Sequence, residues 1–323
     1  MKGAGADVSK SDLSKLKPGP PSLMARLGDN DLLASFLKSK TTVAAGLIAA
    51  ILVLAALAAP LIAPTDPFDP AANFLIDALT PPRFAAGGDP RFLMGTDDQG
   101  RDLWSAILYG LRVSLSIGVL SVMLGGAIGV ALGLVSGYAG GWIDSLIMRI
   151  ADVQLTFPAI LIALLLDGVA HALLPKSSRD DTAFLVLVVA IGLSFWVQYA
   201  RTVRGSTLVE KNRDYVQAAR LIGLSPARIA IRHILPNVMG PVLVIATINL
   251  ALAIILEATL SFLGVGLPAT QPSLGTLIRI GQNFLFSGEW WIVAFPSAAL
   301  AVLVLSVNLL GDWLRDALNP RLK

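Results

Sequence analysis

Six long apolar segments dominate this chain of 323 residues and restrict its fold. They lie at 42–63, 113–136, 147–166, 183–203, 237–262 and 291–311. An α-helix rises about 1.5 Å per residue, so about 20 apolar residues cross the hydrocarbon layer of a bilayer. Charged residues form only 15% of the chain, too few to cover a water-facing surface. The sequence therefore predicts an all-α, polytopic membrane protein with about six transmembrane helices, and it excludes an ordinary cytosolic enzyme.

The distribution of Lys and Arg predicts which way the helices run, because cytoplasmic connections are enriched in these residues. Of the 25 Lys and Arg residues, 18 lie on the side that contains both termini and the loop 204–236, and 7 lie on the other side. The division of 18 to 7 holds only if the weak third span at 147–166 crosses the membrane. Pro158 and two charged residues interrupt that span. We expect both termini and the loop to be cytoplasmic.

The sequence lacks the residues that several kinds of site would require. There is no cysteine, and only His171 and His233 could supply imidazole, so we expect no metal centre. No Gly-x-x-x-x-Gly-Lys-Ser/Thr motif is present to bind nucleotide phosphates. The net charge of +3 does not favour nucleic acid as a partner. An intramembrane enzyme would need a nucleophile beside a base, and a stand-alone secondary transporter would need several intramembrane acids.

The cytoplasmic loop between the fourth and fifth spans is predicted to form two short helices. Asp214 can cap the first helix, and Gly223 can end it in a left-handed conformation. Ser225 and Pro226 suit the cap and first position of the second helix, and Pro236 resets the chain before the fifth span.

The first of these helices has one face whose residues recur at helical spacing: Tyr215, Ala218, Ala219 and Ile222. Its two central alanines permit close approach, which suits a helix that lies in a partner's groove. A helix this short is about 13 Å long and marginal alone in water, so packing against its own spans is the alternative. The residue pattern leaves both interpretations open.

Four stretches of the chain resemble one family of transport proteins. The loop resembles the EAA loop of binding-protein-dependent ATP-binding-cassette importer permeases, through Asp214, Tyr215, Gln217, Ala218, Ala219, Gly223, His233, Leu235 and Pro236. The other three stretches resemble the C-type subunit of the dipeptide/oligopeptide/nickel branch, and they lie at 94–102, at 256–264 with 272–275, and at 308–316 with 319–321. Gln217 departs from the family motif, which has Glu, so we expect docking by shape without a salt bridge at that position.

The resemblance implies an importer-type permease (MetI-like) fold and a subunit of the bacterial inner membrane that carries no chemistry. In that family the loop docks on a cytoplasmic ATPase and transmits its closure to the membrane. The implied partners are a homologous B-type permease subunit, two ATPase subunits, and a periplasmic or lipid-anchored solute-binding protein, besides membrane lipids. ATP and Mg would be bound by the ATPases and no cofactor by this chain. Peptides are the expected cargo, with nickel or another small solute as the alternative.

The predicted topology and the resemblance together divide the chain into four parts. Residues 1–41 form a cytoplasmic tail, and residues 42–111 form the first transmembrane helix and a periplasmic loop. Residues 112–312 form a five-helix permease domain that contains the coupling loop 204–236, and residues 313–323 form a second cytoplasmic tail.

Two further features of the spans are candidates for packing or transport. Gly125, Gly129, Gly133 and Gly137 form a stripe of small residues in the second span, which we expect to pack closely against another helix. Glu257 is an acid inside the otherwise apolar fifth span. A buried acid is a candidate for the substrate path, and a bond to Ser261 or nearby backbone is the alternative.

Overall fold

The computed structural model describes residues 35–69, 73–175, 179–268, 270–271 and 273–318. Residues 1–34 of the first predicted tail and 319–323 of the second lie outside these residues. The described part contains no β-strand. Its helices, numbered in chain order, are α1 (Lys40–Leu57), α2 (Ala59–Ile62), α3 (Leu103–Ala139), α4 (Gly141–Leu155), α5 (Ala159–Leu173), α6 (Arg179–Glu210), α7 (Asp214–Leu221), α8 (Pro226–Ile229), α9 (Leu235–Phe262), α10 (Leu274–Gln282) and α11 (Trp291–Leu318).

The centre of the bundle is the pair α3 and α6, which have the most extensive contact of any two helices described. Helix α9 packs against both members of this pair, α11 packs against α9 and α10, and α1 packs against α11 and α3. One apolar core joins α3, α5, α6 and α9 to the short helices α7 and α8. A second core joins α1, α3, α9, α10 and α11.

Five helical stretches are long and apolar enough to cross a membrane, and the bent pair α4–α5 passes the same test only when its two halves are taken together. The weak third span at 147–166 is not one straight helix, because α4 and α5 meet at a break with a bend of 95°. Pro158, at the N-terminal cap of α5, has no N–H to donate and disfavours helical backbone in the residue before it. Each half has 15 residues, about 22 Å, and is too short to span alone.

Helix α3 begins ten residues before the predicted limit of the second span, at Leu103 rather than at 113. Asp102 caps it, since its carboxylate accepts hydrogen bonds from the backbone N–H of Ser105 at 2.9 Å and from the Ser105 hydroxyl at 2.6 Å. The helix has 37 residues and is about 55 Å long, so it extends beyond a hydrocarbon layer of about 30 Å.

The outer connection before α3 is irregular but firmly attached to the bundle. Asp97 is fully buried and pairs with the Nε of Arg101 at 2.6 Å. The indole N–H of Trp291 donates to the carbonyl oxygen of Thr96 at 3.2 Å, which joins this connection to α11. Ion pairing and hydrogen bonding therefore order a segment that has little regular secondary structure.

Candidate coupling surface

The loop 204–236, predicted to be cytoplasmic, contains a hairpin made of α7, α8 and a π-helical turn, Ala230–Ile234, that runs directly into α9. Gly223 has a φ of +79° and ends α7 in the left-handed conformation expected of it. The predicted capping role of Asp214 is wrong, because Arg213 occupies the cap position without a side-chain bond. Asp214 lies in the first turn, where its negative charge still complements the helix dipole.

The second half of the hairpin differs from the prediction at two points. Ser225 is the cap residue of α8 but makes no side-chain capping bond, while Pro226 occupies the first turn as expected. Pro236 does not interrupt the chain, since α9 already begins at Leu235. The helical backbone therefore continues through Pro236 from the π-helical turn into α9.

The inner face of α7 is centred on Val216 and Ala219, which are buried in the main core with Ile229 and Ile234. The sequence pattern groups Ala219 with Tyr215, Ala218 and Ile222 on one face, but in the structure Ala219 is buried while Ala218 and Ile222 are exposed. The branched apolar side chain of Val216 gains most from leaving water and turns the helix so that Ala219 is buried beside it.

The outer face of the hairpin is apolar and uncovered. Leu221 is 88% exposed and Ile222 is 75% exposed, and Ile231 of the π-helical turn is 62% exposed. Gln217 and Ala218 of α7 are also exposed, one turn before Leu221 and Ile222 at the end of that helix. We name this set the coupling surface: Gln217, Ala218, Leu221, Ile222, Gly223 and Ile231. The chain's own spans leave it accessible to a partner.

Tyr215 ties the hairpin to the two long helices on either side of it. Its hydroxyl donates to Glu210 at the end of α6 at 2.6 Å, and the side-chain amide of Asn237 in α9 donates to the same hydroxyl at 3.2 Å. Burial, together with the carboxylate of Glu210, raises the pKa of Tyr215 to about 12. The tyrosine is therefore protonated at neutral pH and can donate to Glu210.

His233 and Leu235 are half-buried at the base of the hairpin rather than on its outer face. The backbone carbonyl of His233 accepts a bond from Asn237 at 2.8 Å. Its buried Nδ1 has no hydrogen-bond partner among the residues that the structure describes. Neither residue belongs to the coupling surface, so their position indicates a role in joining the hairpin to α9.

The glycine stripe of α3 lies directly against α6. A Cβ atom added at any of the four positions would lie only 2.3–2.7 Å from an atom of α6. The contacts pair Gly125 with Gly192, Gly129 with Trp196, Gly133 with Ala200, and Gly137 with Thr207. Because glycine has no side chain, the two backbones approach closely over the whole shared length, and α3 and α6 form one closely packed pair.

A polar cluster that the sequence analysis missed lies at the turn from α3 to α4. We name it the turn cluster, and it comprises Ser136, Tyr138, Asp144, Arg204, Lys211 and Arg220. Asp144 accepts from Nε and Nη2 of Arg204 at 2.5 and 2.7 Å, and from the Ser136 hydroxyl at 2.5 Å. The available signal was a single acid, Asp144, in the short connection between the second and third predicted spans. Its partner is 60 residues away in the chain, so only the fold reveals the pair.

Glu257 lies far from the hairpin, about 32 Å along α9 from Pro236. It is fully buried, and its two carboxylate oxygens accept from the hydroxyls of Ser114 in α3 at 2.7 Å and Ser261 at 2.8 Å. The structure therefore does not place this acid on an accessible path. It supports the alternative interpretation, in which Ser261 is a partner, and adds Ser114, which joins α9 to α3.

Comparison with known proteins gives matches over nearly the whole chain. The family model described as binding-protein-dependent transport system inner membrane component matches residues 129–323. The model described as the N-terminal TM domain of oligopeptide transport permease C matches residues 30–82.

Curated relatives match over similar lengths. The di/tripeptide transport system permease protein DppC of Pseudomonas aeruginosa is 37% identical over 94% of this chain and 95% of its own. The dipeptide transport system permease protein DppC of Haemophilus influenzae is 38% identical over 84% of this chain and 88% of its own. The oligopeptide transport system permease protein OppC of Bacillus subtilis is 35% identical over 91% and 90%.

Solved structures also match. A chain of the MetNI methionine ABC transporter in inward-facing conformations superposes with a TM-score of 0.51 at 18% sequence identity, covering 66% of this chain and 96% of its own. This likeness confirms the predicted permease fold.

Proposed function

This chain belongs to the family of binding-protein-dependent transport system inner membrane components, and we propose that it is the subunit through which an ATP-driven importer moves peptides. The observation that carries the proposal is the similarity to three peptide permeases over 84–94% of the chain. That length includes both the cytoplasmic hairpin and the outer connection, so it is not confined to one shared motif.

The coupling surface supports the proposal that a separate ATPase binds this chain and drives its movement. Leu221 and Ile222 are large apolar side chains, and leaving them in water is unfavourable. An ATPase that covers them would gain their burial and would hold α7, which is packed on the core through Val216 and Ala219. Movement of the ATPase would then move the bundle.

The full assembly that we propose has this chain beside a homologous permease subunit, two cytoplasmic ATPases and a solute-binding protein. The ATPases would bind ATP and Mg, and this chain would bind neither. The bundle would alternate between inward-open and outward-open states, and nucleotide would bias that equilibrium only through unequal affinity for the two states. Both termini and the coupling surface would lie in the cytoplasm.

The direct test is uptake into vesicles that contain the purified assembly and its binding protein. We expect uptake of labelled dipeptide or tripeptide that requires ATP and every partner. Uptake of Ni²⁺ but not of peptide would select the alternative cargo. Uptake by this chain alone, driven by an ion gradient, would refute the proposal.

The topology has its own test, because the chain has no native cysteine. A single Ala227→Cys substitution in the exposed part of the hairpin should react with a membrane-impermeant maleimide only after the cytoplasmic face is opened. Ala227 is suited to this test because it lies beside the coupling surface without belonging to it. Labelling from outside in intact cells would refute the orientation.

A further inference from the structure

The turn cluster lies between the coupling surface and the bent third span. Helix α3 ends at Ala139 and α4 starts at Gly141, and at this turn Gly140 and Gly141 have φ of +68° and +57°. Glycine is permissive at such angles, so the backbone of this turn transmits little force by itself. Side-chain contacts must hold α4 to the rest of the bundle at this end.

The helices next to the coupling surface contact this turn at three places. Arg204 of α6 holds Asp144 through two parallel hydrogen bonds of 2.5 and 2.7 Å. Lys211 at the end of α6 donates to the carbonyl oxygen of Gly137 at 2.8 Å. The guanidinium of Arg220, in α7 itself, lies 5.6 Å from the ring centre of Tyr138. Of these three contacts, only the one between Arg204 and Asp144 involves a residue of α4, because Gly137 and Tyr138 belong to α3.

The Asp144–Arg204 pair has the geometry of a specific connection. Bidentate, charge-assisted bonds fix direction as well as distance. Asp144 also accepts from Ser136, so this one carboxylate joins α3, α4 and α6. Its side chain is 18% exposed and that of Arg204 is 34% exposed.

The Asp152–Arg201 pair offers a comparison, because it also joins α4 to α6. Its side chains are 54% and 48% exposed. Exposed pairs of this kind contribute little.

We propose that Asp144 and Arg204 are positioning residues that carry displacement of the coupling surface into the bent span α4–α5. The inference rests on the proposed function. Helices α3 and α6 form one unit through the glycine stripe, and α7 is seated on that unit. The middle and C-terminal end of α4 are already held to this unit, because Ala151 packs against Trp196 and Ala200 and Gln154 is hydrogen-bonded to α6. The Asp144–Arg204 pair adds a directional contact at the N-terminal end of α4, next to the glycine turn.

The test measures peptide uptake and ATP hydrolysis together in vesicles that contain the complete assembly. Asp144→Asn and Arg204→Gln should each lower the peptide taken up per ATP by about tenfold, within the usual range of coupling between sites. The double variant should be no worse than either single, because both substitutions remove one interaction. Retention of the ATPase subunits on the purified complex should be unchanged. The matched control, Asp152→Asn, should keep the parent ratio within about twofold.

Other results would overturn the inference. These are ratios within about twofold of the parent in both single variants, additive losses in the double variant, or loss of the ATPase subunits, which would show a merely structural role. If both variants fail to insert, Ser136→Ala replaces them: a fall of about threefold supports the proposal and an unchanged ratio overturns it. A parent assembly that hydrolyses ATP but takes up no peptide would instead refute the proposed function, and the inference with it.

Discussion

Replacing Gly129 by alanine tests the close packing of α3 against α6. The added Cβ would lie 2.3 Å from the carbonyl oxygen of Trp196 and 2.5 Å from Cβ of Tyr199. Ordinary contacts between such atoms begin near 3.5 Å, so the helices must separate by roughly 1 Å. Overpacking of this kind costs about 1–3 kcal/mol. Alanine also lowers the conformational entropy lost on helix formation, which offsets about 0.5–1 kcal/mol.

Gly126 provides the matched control, because it lies in the same helix and its added Cβ would meet Tyr199 only at 3.8 Å. The helix-propensity gain is common to Gly126→Ala and Gly129→Ala, so the difference between their unfolding free energies isolates the packing cost. We expect Gly129→Ala to be less stable than Gly126→Ala by about 1–3 kcal/mol in denaturant titrations of the purified protein in detergent. Equal stability of the two variants would refute the argument that the glycine stripe is needed for close approach.

Three further predictions follow from the hairpin and the buried acid. Ala218→Trp, on the exposed coupling surface, should abolish retention of the ATPase in pull-downs without lowering thermal stability. Ala219→Trp, in the buried core, should destabilise the chain by about 1–3 kcal/mol. An ATPase that is retained by the Ala218→Trp variant would contradict docking at the coupling surface. Because the pKa of Tyr215 is raised to about 12 from 10, the unfolded state loses its proton first, and stability should fall between about pH 10 and 12. Tyr215→Phe should remove that fall, and identical pH profiles would contradict it. Glu257→Ala leaves two serine hydroxyls without their acceptor and should cost about 1–3 kcal/mol in denaturant titrations, while Glu257→Gln should cost less; equal losses would count against hydrogen bonding as the reason.

The class of fold and the place of the hairpin were predictable because both depend on local composition. Long apolar runs must be helices in a bilayer, where no water can satisfy the backbone. Gly223 ends α7 as its lack of a side chain predicts, and the interval of four between the glycines predicts a stripe on one side of α3. These properties are decided within a few turns of helix.

The failures of sequence reasoning concern residues whose behaviour depends on distant parts of the chain. Asp214 has the right residue type for a cap but the helix starts one residue too early, and Ala219 is buried because Val216 beside it finds an apolar core. For Glu257 the sequence offered Ser261 as a partner, and only the fold adds Ser114, 143 residues away.

Composition and periodicity were sufficient to establish a helical membrane protein with an inner hairpin, since hydrophobic burial and backbone hydrogen bonding act locally. Which face of that hairpin is free, which hydroxyls bond to Glu257 and which charges meet at the α3–α4 turn depended on how the helices pack. Those features depend on contacts between side chains up to about 140 residues apart in the chain. Such contacts form only when the helices pack together.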